Sequence, residues 1–298
     1  MPLNDELKWW GWGYKGESFP IPSPQAFWAF LSSRLGEPGH APRVDNPERI
    51  ELPASRFSEH ELQRLQAVVG EANVSLDHLD RVVHSLGKSY PDLLRLRQGK
   101  IQRAPDAVVY PREETQIQRL LQEAQTHRWR VIPFGGGTSV VGGVEPPQGE
   151  QPVITLDLRH LNKVLEIDAT SGLATVQCGI LGPHLEQQLN ARGFTLGHFP
   201  QSFEFSTLGG WIATRSAGQL STKYGKIEDL VCSLRVMTPS GTVETALVPA
   251  AATGPQVLQM LIGSEGSLGV ITRATMRLHP FPHARKFQTF VFRSFAAG

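Results

Sequence analysis

The spacing of apolar positions changes character near residue 104. Before it, apolar residues recur at helical intervals between irregular stretches. Ser23-Pro24 predicts an N-cap with proline at the first helical position, and Phe27, Phe30 and Leu31 then share one face before Gly36. Ser58-Glu59-His60-Glu61 predicts a capping box that opens a helix through Leu62, Leu65 and Val69 to Gly70. Another short helix is expected over residues 92–97. The Pro- and Gly-rich stretch 36–53 reads as a loop.

After residue 104 strands and helices alternate. Residues 107–110 form a short apolar run. Residues 113–128 place Ile117, Leu120, Leu121 and Ala124 at i, i+3, i+4 and i+7, an amphipathic helix. Residues 130–133 read as a strand that runs into a glycine loop, completing a βαβ unit. Strands are expected over 153–158, 164–168 and 173–178, the last two joined by Ala169-Thr170-Ser171-Gly172. A helix over 183–192 is closed by Gly193. Residues 231–238 and 242–245 form a hairpin over Pro239-Ser240-Gly241. A helix over 255–262, a strand over 270–278 and a new strand over 287–292 follow. Strand-rich and helix-rich pieces mix without repeats, so the expected class is α+β.

Composition narrows this picture. With 29 basic and 28 acidic side chains the chain has no field to recruit nucleic acid or an anionic membrane. Its 40% hydrophobic and 19% charged content suits a globular protein, and a chain of this size holds one or two domains. Cys178 and Cys232 alone suggest buried thiols in a reducing compartment. No signal peptide and no spanning run is apparent, which makes the cytoplasm the expected location. Glycines cluster at 135–143, 209–218 and 263–269, where main chain could come close to a ligand.

The first cluster is the most informative. In Pro133-Phe134-Gly135-Gly136-Gly137-Thr138-Ser139, three glycines after a strand can turn several amides toward one anion, with Thr138 and Ser139 adding hydroxyls. A tight turn between elements is the plain alternative. Neither a Gly-x-x-x-x-Gly-Lys-Ser/Thr loop nor a helix-opening Gly-x-Gly-x-x-Gly is present. The second cluster joins Gln201-Ser202-Phe203-Glu204-Phe205-Ser206-Thr207-Leu208-Gly209-Gly210-Trp211 to Thr214-Arg215-Ser216-Ala217-Gly218, small and hydroxylic where a packed helix needs bulk. The third is Gly263-Ser264-Glu265-Gly266-Ser267-Leu268-Gly269-Val270-Ile271. Three such loops in one domain suit a long, extended ligand.

These three segments resemble the FAD-binding (PCMH-type) domain of the vanillyl-alcohol oxidase flavoprotein superfamily. Within it they are most similar to the alkyldihydroxyacetonephosphate synthases and bacterial FAD-linked oxidase relatives, a likeness extended by Lys8-Trp9-Trp10-Gly11-Trp12-Gly13. The resemblance implies two α+β subdomains over 104–281, after a helical N-terminal region 1–98 and before the start of a truncated cap domain, 282–298. It also implies FAD, with its pyrophosphate on 133–139. The flavin and ribityl chain would lie along 201–207 and 214–217, and 265–271 would complete the pocket. Gln201 stands where the synthases tend to have Asp. Thr138 stands where some members carry a flavin-linking His, so non-covalent FAD is expected. The family's catalytic Tyr, His and Arg lie in the cap, and none is carried over.

Other signals are weaker. The Trp-rich start is expected to pack on the FAD domain rather than anchor to a membrane. Asp77, His78, Asp80 and His84 invite a metal reading, but the two histidines fall on different helix faces and read as solvated side chains, leaving no metal site. Arg95, Arg97, Lys100 and Arg103 read as a solvated basic face. Nothing ties His160, His184 or His198 to a nucleophile, although His198 lies close in sequence to the Gln201 loop. The resemblance implies a synthase that exchanges an acyl group on dihydroxyacetone phosphate for a long-chain alcohol. Two alternatives share the same domain: a D-2-hydroxy-acid (lactate or glycolate) dehydrogenase, and an FAD-binding module inactive without a partner chain. The expected partners are a small-molecule or lipid substrate once a cap is supplied, and a second copy or a partner chain.

Overall fold

The change of period near residue 104 corresponds to the start of the first sheet's core strands. The computed structural model describes residues 6–18, 20–37, 39, 43–249 and 251–298. Ahead of the core strands come α1 (Pro24–Leu35), α2 (Glu59–Val69), β1 (Val74–Ser75), α3 (His78–Val83) and α4 (Tyr90–Arg97). Then follow β2 (Ala107–Val109), α5 (Glu114–His127), β3 (Arg130–Phe134) and β4 (Val153–Asp157). The first sheet runs β1-β2-β4-β3, with β2 and β3 parallel to β4 and β1 antiparallel at the edge. β4 is buried on both faces, with Thr155 and Asp157 lying among its apolar Val153, Ile154 and Leu156. The expected stripe of α5 (Ile117, Leu120, Leu121, Ala124) meets Leu65 and Val69 of α2 over Ala107, Val109, Ile154 and Leu156.

The second sheet is antiparallel, in the order β5-β6-β10-β8-β9. Its strands are β5 (Val164–Asp168), β6 (Leu173–Gln177), β8 (Val231–Thr238), β9 (Gly241–Glu244) and β10 (Val270–Arg277). Between them lie α6 (Gly182–Asn190), β7 (Phe194–Thr195), α7 (Leu208–Ala213), α8 (Ser221–Tyr224), α9 (Ile227–Leu230) and α10 (Val257–Leu261). β7 pairs with β11 (His279–Pro280). Val176, Leu185, Leu208, Trp211, Leu230 and Ile271 share the core on this sheet. The two sheets are joined by Glu114 at the start of α5. Its carboxylate accepts from Arg235 (3.2 Å), Arg273 (2.8 Å) and the Thr272 hydroxyl (2.8 Å). Met237 and Val270 of the second sheet also sit in the first sheet's core.

Several expectations are corrected. Ser23 is left-handed (φ 48°) and makes no cap bond, so α1 relies on Pro24 alone. The helix buries none of its residues, and Phe27 and Phe30 are exposed. α4 starts earlier than expected because Ser89 and Asp92 cap each other. The glycine-rich stretch after Thr207 is a helix, not a loop: its bulk is Leu208, Trp211 and Ile212, all buried, while Gly209 packs against Cys178 and Gly210 lies over the Thr207 hydroxyl. Residues 287–292 are not a strand, since no strand among the described residues pairs with them. The 36–53 loop contains a short 3-10 turn, Pro47–Arg49, and residues 38 and 40–42 of that expectation lie outside the described residues. Trp9 is buried among Ile50, Val82, Leu86 and Leu96, and Trp12 meets Phe205 edge-on.

His84 is not solvated. Its ring is wholly buried, with Nε2 3.1 Å from Asp157 Oδ2 and Nδ1 2.6 Å from the Asp80 carbonyl oxygen. Arg95 and Arg103 are not a free basic face either, because both donate to Glu145 (3.0 and 2.7 Å). Arg97 donates to the Trp10 carbonyl at 3.0 Å.

Candidate functional site

β3 ends at Phe134 and feeds directly into the glycine loop, which forms one wall of a cavity of about 380 Å³ between the two sheets. This wall comprises Pro133, Phe134, Gly135, Gly136, Gly137, Thr138, Ser139, Val140, Val141, Gly143 and Val144, with Leu158 beyond β4. The second sheet's side supplies Cys178, Ser202, Ser206, Thr207, Gly209, Gly210, Trp211, Ala213, Thr214 and Ser216. Glu265, Gly266, Gly269 and Ile271 close it.

Steric contact explains why the loop is glycine. A Cβ on Gly135 would collide with the Thr207 hydroxyl, and one on Gly136 with the Phe205 carbonyl oxygen. Gly137 has φ 65°, the left-handed region. The two walls therefore touch through main chain. None of the amides of residues 135–139 has a hydrogen-bond partner among the described residues. Unpaired amides on the wall of a cavity are costly unless something accepts from them. On the facing wall Thr207 caps α7 by accepting from Gly210 N (3.3 Å), and Ser206 accepts from the Trp211 indole (2.6 Å).

Of the residues singled out from sequence, most converge here. Others do not line the cavity. Gln201 and Ala217 are exposed, so the Asp-to-Gln departure sits outside it. Phe203 stacks on Trp211 at 6.1 Å. Glu204 and Phe205 line a second cavity of about 50 Å³ on the other side of the glycine loop. Arg215 donates to the Gln259 carbonyl (2.7 Å), and Ser267 donates to that of Ser264 (2.6 Å). Leu268 is exposed, and Val270 belongs to the core. Conversely, Leu158, Cys178 and Trp211 line the cavity without having been assigned to it. Leu158 and Cys178 follow the last residues of β4 and β6, and that place at a strand end was the only available signal.

The cavity is nearly uncharged, with Glu265 as its one ionisable carboxylate among the described residues. Burial pushes the Cys178 thiol up, so this wall presents a protonated sulfur. Burial pulls His198 down to about 4, which leaves it neutral beside the Ser216 hydroxyl (2.7 Å). Behind the loop lies a buried charge cluster. Burial alone would raise the Asp157 carboxyl, but the bond from His84 and the charge and bonds of Arg159 hold it below the ordinary range. Arg159 donates to it at 2.6 Å. No group of three or more His, Cys, Asp or Glu side chains among the described residues is placed to hold a metal. No helix there is long and apolar enough to cross a membrane.

Open amides, hydroxyls and glycine-thin walls with an apolar floor of Trp211 and Ile271 suit a long ligand with an anionic middle and flat ends. Residues 105–247 match the model of an FAD binding domain family. The chain is 37% identical over 324 residues to an alkyldihydroxyacetonephosphate synthase of Dictyostelium discoideum, covering 99% of this chain and 52% of that protein. To the enzyme of the same name from Trypanosoma brucei brucei it is 37% identical, over 98% of this chain and 51% of the other. A solved structure of an alkyldihydroxyacetonephosphate synthase superposes with a TM-score of 0.85 at 35% identity, over 95% of this chain and 56% of that one. The chain thus spans about half the length of the curated relatives it matches. Through its FAD-binding domain and its α+β fold, the chain belongs to the PCMH-type flavoprotein family that includes the alkyldihydroxyacetonephosphate synthases, and its cofactor is FAD.

Proposed function

We propose that the inter-sheet cavity holds FAD without a covalent bond, as the flavin-binding part of an alkyldihydroxyacetonephosphate synthase-like enzyme. The observation that carries this reading is the row of unpartnered amides at 135–139 beside a cavity built from both sheets. Those amides, with the Thr138 and Ser139 hydroxyls, would donate to the pyrophosphate. Each such bond to a charged group contributes roughly 1.5–3 kcal/mol. Segments 201–207 and 214–217 would flank the flavin and ribityl chain, and 265–271 would close the pocket. A threonine at position 138 offers no imidazole to bond to the ring. Bound FAD supplies the electron-exchanging flavin ring, while this chain positions it and excludes water.

The synthase-like reading is supported by similarity that runs through the Trp-rich start as well as the FAD domain. The reaction would exchange an acyl group on dihydroxyacetone phosphate for a long-chain alcohol. Because the relatives are about twice as long, we place substrate recognition in a cap domain or a partner subunit. Purified protein is expected to be yellow, and denaturation is expected to release all of its flavin as FAD. A colourless protein that takes up no added FAD overturns the proposal. Flavin retained after denaturation overturns the non-covalent part. Reduction of the isolated chain's flavin by D-lactate would replace the synthase reading with a hydroxy-acid dehydrogenase.

A further inference from the structure

A dinucleotide brings two phosphate charges into a cavity whose walls carry no cation among the described residues. The cations stand on the other side of the glycine loop. The smaller cavity there shares Phe134, Gly135, Gly136 and Gly137 with the larger one, and is also lined by Lys8, Lys88 and Arg159. A glycine wall has no side chains to hold charge away from charge. Arg159 is already held by Asp157, and Lys8 makes its bond to the Glu17 carbonyl (2.6 Å) at the exposed surface. Lys88 is different. Its ammonium donates only to the Gly11 carbonyl (2.9 Å) and has no carboxylate within ion-pair distance among the described residues. Its main chain is stitched to the loop, with Lys88 N donating to the Ser139 carbonyl at 2.7 Å, and a Cβ on Gly87 would strike that same oxygen.

We propose that Lys88 is the counter-charge of the glycine loop, a remote basic residue that neutralises the FAD pyrophosphate from behind the main chain. This rests on the assignment of FAD to the inter-sheet cavity. An ammonium held out of water by a carbonyl alone, with no counter-charge, is destabilised, and burial lowers Lys88 to about 8. An anion on the loop restores its preference for the charged form, so anion binding and protonation of Lys88 are coupled. The other charged groups around the small cavity are Lys8, Asp157, Arg159 and Glu204, with His84 behind Asp157.

The test is fluorescence titration of apo-protein with FAD and, separately, with riboflavin, which lacks phosphate. It compares the wild type with Lys88→Met and Lys88→Arg between pH 6.5 and 9.5 and at two salt concentrations. Lys88→Met is expected to weaken FAD binding by about tenfold or more. It should flatten the salt dependence and leave riboflavin binding unchanged, while Lys88→Arg restores most of the affinity. In the wild type, FAD affinity should be constant below about pH 8 and fall above it as free Lys88 deprotonates. Riboflavin affinity should not follow that profile, and this arm needs no variant to fold. Wild-type FAD binding that Lys88→Met leaves intact in strength and salt dependence overturns the proposal. So does a wild-type profile that is flat through pH 9. If the wild type binds no FAD, the assignment of the cavity itself has failed, a separate outcome.

Discussion

At the scale of single residues, the site depends on what is missing from side chains. Gly136 has an ordinary φ, so backbone strain does not require glycine there. The Phe205 carbonyl oxygen does, because it occupies the space of a Cβ. Gly136→Ala must push the 201–207 segment away, opening the wall that is proposed to face the flavin. Overpacking of this kind costs about 1–3 kcal/mol. The expected result is a folded protein with FAD affinity reduced by tenfold or more, measured by titration against the wild type. Unchanged affinity would mean that the two walls need not touch. The glycine loop alone read as well as a tight turn, and it was legible as a ligand wall because two further glycine clusters pointed the same way. His84 and Lys88 were not legible. Each reaches a partner far away in sequence, Asp157 and the Ser139 carbonyl, and no local periodicity announces a contact of that range. Arg95 and Arg103 were misread for the same reason, since Glu145 lies beyond two intervening strands.

At the scale of elements, the helices and strands with strong periods were legible, and those held by tertiary contacts were not. α5 carries its own stripe and its own capping pair, Glu113 with Gln116, so its position follows from local sequence. α7 has six residues, two of them glycine, and it is helical because Trp211 and Ile212 find a core and Thr207 caps it. Residues 287–292 have strand-like composition but no strand beside them, and composition alone does not make a sheet. α5 also carries the clearest device joining the sheets. The Glu114 carboxylate, mostly buried, collects Arg235 and Arg273 from β8 and β10. Glu114→Ala leaves two guanidinium groups facing each other without their shared anion. A loss of about 2–4 kcal/mol is expected, toward the lower end because both arginines are partly solvated. Urea unfolding would measure it as a lower midpoint. FAD binding should weaken with it, as the cavity walls belong to different sheets.

At the scale of the whole molecule, the cavity is a joint. Segments 133–139, 202–216 and 265–271 are separated by long stretches of chain, and the first is anchored to one sheet while the others are anchored to the second. Without a ligand, the amides of 135–139 have no acceptor among the described residues and should exchange with solvent readily. A ligand that spans the joint changes this in a particular way. It protects the glycine loop directly, and by holding the sheets together it also slows opening of the facing segments, by up to its full binding free energy. Hydrogen exchange resolved by peptide, with and without FAD, should therefore show protection in all three segments at once, while the outer strands β5 and β9 change little. Riboflavin should protect the second and third segments and leave 135–139 exchanging, since it brings no phosphate to the loop. Protection confined to the glycine loop in the FAD experiment would place the ligand on one sheet only, and the joint would then be closed by protein contacts such as Glu114 alone.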